Sequence, residues 1–258
     1  MPKEGKIKYW NVSPVSFTRQ MDFLYRKKFN VITIDEFIDC KEKNLRPPSK
    51  SIIISFDDGY ADNYIYAMPI LDKYNFKPTF FVVTDYIDSQ ETFQWQGLKW
   101  DKPSLEHCNK NRASWLPLSE SMILDMSRRG ASFGSHTKSH LDLTQLERKE
   151  VIRQIINSKK RLEAILSHSV DCLSYPFGKI SEEAKNLVKT TGYKAAVGSI
   201  FSSNNLKNDS FKLGRIIIEE QDSLCKFSNK VKGAYEWYGL WLRITQRLRH
   251  MLAHGSSS

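Results

Sequence analysis

Two short motifs, far apart in the chain, carry side chains that can bind a metal ion and move a proton. The first is Ser55-Phe56-Asp57-Asp58-Gly59, which directly follows an isoleucine-rich run, and the second is Ser135-His136-Thr137-Lys138-Ser139-His140. Two histidines four residues apart can share one side of a helical turn, and one carboxylate completes a metal-binding set. The neighbouring carboxylate is then free to act as a base. The combination predicts metal-assisted hydrolysis.

Each motif taken alone also has a common structural explanation. Asp-Asp-Gly after a strand is typical of a turn, and Tyr175-Pro176-Phe177-Gly178 is typical of a proline turn. The histidine pair could be incidental. Their shared position favours a functional explanation over a structural one, because each motif follows a predicted strand. The carboxyl ends of parallel strands meet at one face of a βα fold, so the three motifs are expected to form a common site.

The elements that position these motifs are predicted from the alternation of apolar runs and amphipathic segments. Strands are predicted over residues 31–34, 51–56, 79–84, 131–134, 172–175, 194–198 and 211–218. Helices are predicted over residues 14–28, 35–43, 63–74, 119–130, 144–166 and 181–192, with N-caps at Ser13, Ser119 and Ser181 and a capping box at 144–147. This pattern predicts an α/β fold around a parallel sheet, open or closed into a barrel.

The three motifs together resemble those of the polysaccharide deacetylases (carbohydrate esterase family four, the NodB-homology domain). Residues 55–59 resemble the first motif of that family, 136–140 the second, H-[ST]-x-x-H, and 175–178 the third. The resemblance extends over residues 12–220. It implies a distorted (β/α) barrel and a hydrolase that removes acetyl groups, chiefly N-acetyl, from a polysaccharide or lipid-linked sugar. Only residues 1–10 are available for the family's first strand, which is therefore expected to be short or absent.

The resemblance also implies a role for individual residues. Asp57 would be the general base, while Asp58, His136 and His140 would hold a divalent metal, usually Zn²⁺. The backbone N–H of Phe177 would stabilise the oxyanion. Catalysis would proceed by attack of metal-bound water on the acetyl carbonyl, releasing acetate and a free amine.

Two features of the family are missing from their expected places. No arginine precedes Pro176, where the family's base-orienting arginine often stands, and residues 215–218 contain no histidine to serve as the proton donor. Two alternatives therefore stay open. One is a catalytically impaired, deacetylase-like module that binds glycan or membrane, and the other is hydrolysis of other non-peptide C–N bonds.

Four residues are predicted to contact the sugar: Tyr175, Pro176, Trp95 and Trp100. The two tryptophans lie within the polar, aperiodic stretch 85–118, which is long enough to be a functional loop or lid. Their rings could stack on sugar rings, or could anchor the loop to the body of the protein.

The 258 residues suffice for one large domain, predicted over residues 1–233, followed by a C-terminal amphipathic basic helix and tail over 234–258. The net charge of +10 favours an anionic partner, and the C-terminal helix could lie on an anionic membrane or dock on the barrel. No nucleic-acid-binding motif is present, so nucleic acid is not an expected partner. The amino terminus shows no signal peptide, which predicts a cytoplasmic or membrane-peripheral location unless the chain is trimmed there.

Overall fold

Seven short parallel strands are found in the computed structural model, which describes residues 12–93, 112–199 and 202–233. They are β1 (Asn30–Val31), β2 (Ser51–Ile52), β3 (Ser55–Phe56), β4 (Thr79–Val82), β5 (Ser132–Ser135), β6 (Cys172–Ser174) and β7 (Ala195–Val197). Strands β1 and β2 pair with each other, while β3 to β7 form one sheet in chain order. A parallel sheet in which successive strands are neighbours is the arrangement of a (β/α) barrel, here a half-barrel, and it confirms the predicted fold class.

Helices connect the strands and cover the sheet. They are α1 (Pro14–Arg26), α2 (Ile34–Glu42), α3 (Met68–Lys73), α4 (Arg112–Trp115), α5 (Glu120–Arg128), α6 (Arg148–Leu166), α7 (Glu182–Thr190) and α8 (Leu224–Val231). The predicted N-caps Ser13, Ser119 and Ser181 are confirmed, because each side chain accepts a hydrogen bond from a backbone N–H in the first turn. Each such cap stabilises its helix by about 1 kcal/mol. In the described ranges, no helix combines the length and apolar character needed to cross a bilayer.

Two predicted elements near the site are built differently. The single strand predicted over residues 51–56 is two strands, since β2 pairs with β1 and β3 pairs with β4. The capping box predicted over residues 144–147 does not form. Asp142 instead caps a short 3₁₀ turn, Leu143–Gln145, and α6 begins after Glu147 without a side-chain cap. The hydroxyl of Thr144 donates to Asp142, which leaves it no role at the start of α6.

The strand predicted over residues 211–218 is also reduced. A 3₁₀ turn, Ser210–Lys212, is followed by one bridging residue, Leu213, which pairs with Val197 of β7. Residues 215–218 have no regular secondary structure. The helix predicted over residues 234–252 lies outside the described residues, so the predicted domain boundary at 233 stays a prediction.

Aromatic side chains from the three adjacent strands β3, β4 and β5 pack against one another in a row. The ring of Phe56 stacks on Phe80 with centroids 5.0 Å apart, and Phe80 contacts Phe133 at 5.7 Å. Phe80 and Phe133 are almost completely buried. A buried ring of this size contributes about 1.5–3 kcal/mol, and aromatic pairs in such geometry add to it. The row therefore helps fix the relative positions of β3, β4 and β5.

Helix α8 is tied to the preceding loop by a buried ion pair. Lys230 Nζ lies 2.5 Å from Asp222 Oδ2 and donates a second hydrogen bond to the Ile217 carbonyl at 2.8 Å. The two charged side chains are only 4% and 0% exposed. Asp222 also accepts a hydrogen bond from the Glu219 N–H at 2.9 Å. The pair thus fastens the loop that follows residues 213–215 to the body of the domain.

Replacing Lys230 should cost much more stability than replacing its neighbour Lys226. Lys230→Ala leaves the Asp222 carboxylate without its buried partner, and breaking such a pair lowers the free energy of unfolding by about 3–5 kcal/mol. Lys226 also contacts Asp222, but its side chain is 37% exposed, so Lys226→Ala should cost about 1 kcal/mol or less. Urea denaturation at neutral pH measures both. Similar small losses for the two variants would contradict this account of the loop.

Candidate active site

The three sequence motifs meet at the carboxyl edge of the five-stranded sheet. Asp57 and Asp58 directly follow β3, His136 directly follows β5, and residues 175–178 directly follow β6. These strands are parallel; β5 and β6 are neighbours, and β4 lies between β3 and β5. The side chains of the first two motifs consequently share one depression at the strand ends, as the strand assignment predicted.

One carboxylate and both imidazoles of the motifs converge on a single point. Asp58 Oδ1 lies 3.5 Å from His136 Nε2 and 3.7 Å from His140 Nε2. The three potential ligand atoms lie within 4.8 Å of one another. Zinc–ligand bonds are about 2 Å long, so one ion between these atoms could reach all three after small side-chain adjustments. The donor set therefore fits a divalent metal.

The two histidines lie on a tight turn rather than on the helical turn expected from their spacing. Thr137 and His140 both have left-handed backbone, with φ of 67° and 57°. Such conformations cost about 1 kcal/mol or more for residues other than glycine, and they are common at functional sites. Ser135 Oγ accepts the Thr137 N–H and Thr137 Oγ1 accepts the His140 N–H, which hold the turn closed. The centroids of the two imidazole rings lie 4.8 Å apart.

A backbone carbonyl fixes the orientation of His136. Its Nδ1 lies 2.8 Å from the Ser174 carbonyl oxygen, and the ring is buried. Because a carbonyl can only accept, Nδ1 carries the proton in the neutral ring, and the lone pair of Nε2 is left for the point on which Asp58 and His140 also converge. This is the usual way in which a second contact sets the tautomer of a metal-ligating histidine.

Asp57 is held by an arginine that sequence reasoning did not assign to the site. Arg215 Nη1 and Nη2 donate to the two carboxylate oxygens of Asp57 at 2.7 and 2.8 Å, a bidentate pair. Arg215 Nη2 also donates to Ser174 Oγ at 3.1 Å. The arginine missing before Pro176 is thus replaced by one from a later part of the chain. One feature of the sequence could have indicated this pairing. Arg215 is the single charged residue in the apolar run 213–218, and a buried arginine almost always has an acidic partner.

The site sets different protonation states for its titrating groups. Burial raises the pKa of Asp57, but the Arg215 guanidinium and His136 more than offset it and hold the pKa well below its usual range. Burial raises the pKa of Asp58 to about 6, and the neighbouring Asp57 charge adds to the effect. Burial and His136 lower the pKa of His140 to about 3. At neutral pH, Asp57 is ionised and His140 is a neutral ligand.

Metal binding should weaken as the pH falls below 6. A proton and a metal ion compete for the Asp58 carboxylate, so above its pKa of about 6 the carboxylate is free and below it the carboxylate is protonated. This competition lowers the apparent affinity by up to about tenfold per pH unit. Calorimetric titration of the metal-free protein with Zn²⁺ near pH 7.5 and pH 5 measures the change. An affinity unaltered between these conditions would mean that Asp58 does not ligate.

The turn after β6 presents a backbone N–H beside the histidines. Phe177 has left-handed backbone (φ 57°), its ring is 50% exposed, and the ring lies 4.7 Å from that of His140. Its N–H has no hydrogen-bond acceptor among residues 12–93, 112–199 and 202–233. Gly178 continues the turn at φ 63°, and a Cβ there would lie 1.8 Å from Ser199 Oγ, so only glycine fits. The N–H that is predicted to stabilise an oxyanion therefore belongs to a residue whose ring adjoins His140, and its role stays a prediction.

The other predicted sugar contacts are placed differently. Tyr175 is 0% exposed and its hydroxyl donates to the Phe211 carbonyl at 3.1 Å, while Pro176 is buried. Both side chains are buried at the Phe177 turn, so neither is exposed for the predicted contact with a sugar. Trp95 and Trp100 lie outside the described residues. Within the described ranges, no third histidine adjoins the group, because His168 lies before β6, at the opposite end of the strands.

Comparison with known proteins agrees with this geometry. The sequence profile of the polysaccharide deacetylase family matches residues 44–196, more than half of the chain. The chain therefore belongs to the polysaccharide deacetylase family.

Two bacterial relatives illustrate the likeness in sequence. A Bacillus subtilis protein named as a polysaccharide deacetylase, YxkH, is 28% identical over 181 residues, which cover 70% of this chain and 56% of that protein. The poly-beta-1,6-N-acetyl-D-glucosamine N-deacetylase of Staphylococcus aureus (strain MRSA252) is 25% identical over 215 residues, covering 83% of this chain and 70% of that protein. The chain thus spans little more than half of the Bacillus subtilis relative.

Solved structures share the fold. The Streptococcus pyogenes deacetylase PplD, solved in complex with acetate, superposes with a TM-score of 0.73 at 23% identity, covering 90% of this chain and 92% of that one. IcaB from Ammonifex degensii gives a TM-score of 0.69 at 18% identity, covering 89% and 93%. These likenesses support the half-barrel architecture.

Proposed function

We propose that this chain is a metal-dependent hydrolase that removes N-acetyl groups from a glycan. The observation that carries the proposal is the ionised Asp57, held by Arg215 beside the Asp58, His136 and His140 group at the carboxyl edge of the sheet. Membership of the polysaccharide deacetylase family supports the reaction class. The Staphylococcus aureus relative, named for deacetylating poly-beta-1,6-N-acetyl-D-glucosamine, supports an N-acetylated sugar polymer as the substrate.

Asp58, His136 and His140 would hold the metal. Two imidazole nitrogens and one carboxylate oxygen are a ligand set that catalytic zinc sites use, so Zn²⁺ is the ion we propose. A divalent ion in this place lowers the pKa of water and polarises a carbonyl oxygen.

Asp57 would take the proton from the attacking water. Its Oδ2 lies 3.9 Å from His136 Nε2, so it adjoins the metal-binding group without being one of its ligand atoms. Arg215 and Ser174 fix the plane of the carboxylate, which leaves it oriented before substrate arrives. The low pKa makes Asp57 a weak base, but it also keeps the carboxylate ionised at every pH at which the protein would work.

The backbone N–H of Phe177 would stabilise the negative charge that develops on the acetyl oxygen. A positioned donor of this kind contributes about 3–4 kcal/mol in other hydrolases. The C–N bond then breaks, acetate leaves, and the amine takes a proton. Asp57 would return the proton that it accepted, since no further histidine adjoins the site among the described residues.

Arg215 weakens the case for a catalytically impaired binding module. That alternative rested on the missing arginine and the missing late histidine, and Arg215 supplies the first of these. The predicted membrane contact of residues 234–258 and the predicted cytoplasmic or membrane-peripheral location stay predictions.

Acetate release tests the proposal. Protein loaded with Zn²⁺ is incubated with β-1,6-linked N-acetylglucosamine oligomers, and acetate and free amine are counted separately. We expect equal amounts of the two products, loss of both with a chelator, and recovery on adding Zn²⁺ back. Acetate without amine would indicate an O-acetyl substrate. Absence of both products across N- and O-acetylated glycans would refute the proposal.

A further inference from the structure

A groove of about 620 Å³ lies at the amino ends of the strands, away from the candidate active site. Its walls are residues 25, 26 and 28–32, which end α1 and form β1, Pro48 before β2, and residues 74–76 before β4. Because β1 to β4 are parallel, their amino ends point away from the carboxyl edge that carries Asp57 and Asp58. The groove is therefore separate from the proposed catalytic site.

Aromatic rings form one side of the groove. Tyr25 is 59% exposed and packs on Tyr74 with ring centroids 5.5 Å apart, and Tyr74 stacks on Phe76 at 5.7 Å. The exposed side chain of Asn75 adjoins these rings and makes no hydrogen bond within the described part of the chain. An exposed aromatic ring beside a free amide can bind a sugar, because the ring packs on the apolar face of the sugar and the amide hydrogen-bonds its hydroxyls.

The groove is also strongly basic. Arg26 and Lys28 line it, and Lys50 and Lys73 border it: Lys50 Nζ donates to the Lys27 carbonyl, and Lys73 Nζ lies 5.5 Å from the centroid of the Tyr74 ring. Arg26 pairs with Asp22 at 2.9 Å, but the three lysines form no ion pair within the described ranges. The nearby Asp72 is already paired with Arg129. The surplus of positive charge predicts a ligand that carries negative charge.

Three polar residues of this region occupy backbone conformations that favour glycine. Lys28, Lys50 and Asn75 have left-handed φ values of 55°, 54° and 54°. The turns that lead to β5 and β7 have glycine in this conformation, at Gly130 and Gly192, whereas the turn that leads to β6 has Ser167. A lysine or asparagine there costs about 1 kcal/mol relative to glycine. The chain thus carries polar side chains around the groove at the expense of stability.

We propose that this groove is a second, non-catalytic glycan-binding site that takes acidic sugar units, bearing carboxylate or phosphate. The ligand is distinct from the product of the proposed reaction, because a deacetylated glycan carries protonated amines that the lysines would repel. The aromatic rings that line the groove can stack on sugar rings, which phosphatidylglycerol headgroups lack. The site would hold the protein on an acidic polymer while the opposite face remains open to substrate.

Binding of hexagalacturonate, measured by calorimetry at low salt, tests the proposal. Tyr25→Ala and the pair Lys28→Glu/Lys50→Glu should each weaken binding by about tenfold or more. Tyr25→Phe keeps the ring and should bind within about threefold of the unaltered protein, since stacking survives. The control pair Lys149→Glu/Lys160→Glu makes the same change in net charge at exposed lysines of α6, and should change binding by about twofold at most.

Further binding experiments distinguish a specific glycan site from unspecific charge attraction and from membrane binding. Asp57→Asn should leave hexagalacturonate binding unchanged, so failure of the proposed deacetylation would not affect this test. A phosphorylated mannan oligosaccharide that competes identifies phosphate as an accepted acid, and hexagalacturonate binding without competition identifies carboxylate. Equal losses in both lysine pairs, with no effect of Tyr25→Ala, would show unspecific attraction and overturn the proposal. Binding to phosphatidylglycerol vesicles but to neither polymer would also overturn it. Circular dichroism melts confirm that each variant is folded.

Discussion

Asp57→Asn is expected to lower the kcat of acetate release by about 10²–10⁴-fold, the range that a general base contributes. Asparagine keeps the size of the side chain but cannot accept the proton of the attacking water. It also leaves Arg215 without its bidentate partner, so some loss of stability is expected as well. Steady-state kinetics with N-acetylglucosamine oligomers measures the rate, and thermal unfolding measures the stability.

A second aspartate–arginine pair provides the matched control. Asp125 accepts a hydrogen bond from Arg129 at 3.1 Å near the end of α5, remote from the carboxyl edge of the sheet. Asp125→Asn should therefore leave kcat within about twofold, as expected for a partly exposed pair far from the chemistry. Bound Zn²⁺ should be the same in both variants. A kcat for Asp57→Asn close to that of the control would exclude Asp57 as the base.

His136→Ala is expected to abolish retention of Zn²⁺ and, with it, acetate release. The substitution removes a buried ligand whose orientation is fixed by the Ser174 carbonyl. Loss of a contact that merely orients a ligand already costs about 10–100-fold in metal affinity, so loss of the ligand itself should exceed this range. Atomic spectroscopy of the dialysed protein measures the metal directly, without reference to activity.

His168→Ala is the control for this experiment. His168 is an exposed histidine before β6, and its Nδ1 contacts only the neighbouring Ser169 carbonyl in the described structure. Its replacement should leave the zinc content unchanged. Full retention of zinc by His136→Ala would place the metal elsewhere and remove the basis of the proposed reaction.

The sequence predicted the parts of the site that are local in the chain. Each motif directly follows a short apolar run, and parallel strands bring such positions to one edge, so the meeting of Asp58, His136 and His140 could be anticipated. The serine caps of three helices could be predicted equally well, because a cap and its partner lie three residues apart. Local chemistry with a fixed spacing is what a single sequence encodes most directly.

Contacts between distant segments could not be predicted in the same way. Arg215 lies 158 residues after Asp57, and their pairing depends on how the loop after Leu213 returns to the sheet. The path of that loop is set by Lys230 and Asp222, an ion pair that no local pattern indicates. A family comparison by motif looks for arginine before Pro176 and misses one that reaches the same carboxylate from elsewhere.

Burial and backbone conformation account for the other differences between the predicted site and the observed one. Tyr175 is predicted to contact sugar, but its ring is 0% exposed and its hydroxyl donates to the Phe211 carbonyl. The histidine pair was expected on a helical turn, whereas two left-handed residues fold it into a tighter one. In both cases the residue types pointed to the right region, and the direction of the side chain depended on packing.

Anomalous diffraction from crystals soaked in Zn²⁺ would locate the metal in the candidate active site. We expect one strong peak about 2.0–2.2 Å from His136 Nε2, His140 Nε2 and an oxygen of Asp58, the ordinary zinc–ligand distances. The Asp57 carboxylate should remain paired with Arg215 beside it. A fully soaked crystal with no peak at these three residues, or with Asp57 taking the place of Asp58 as the ligand, would contradict the account.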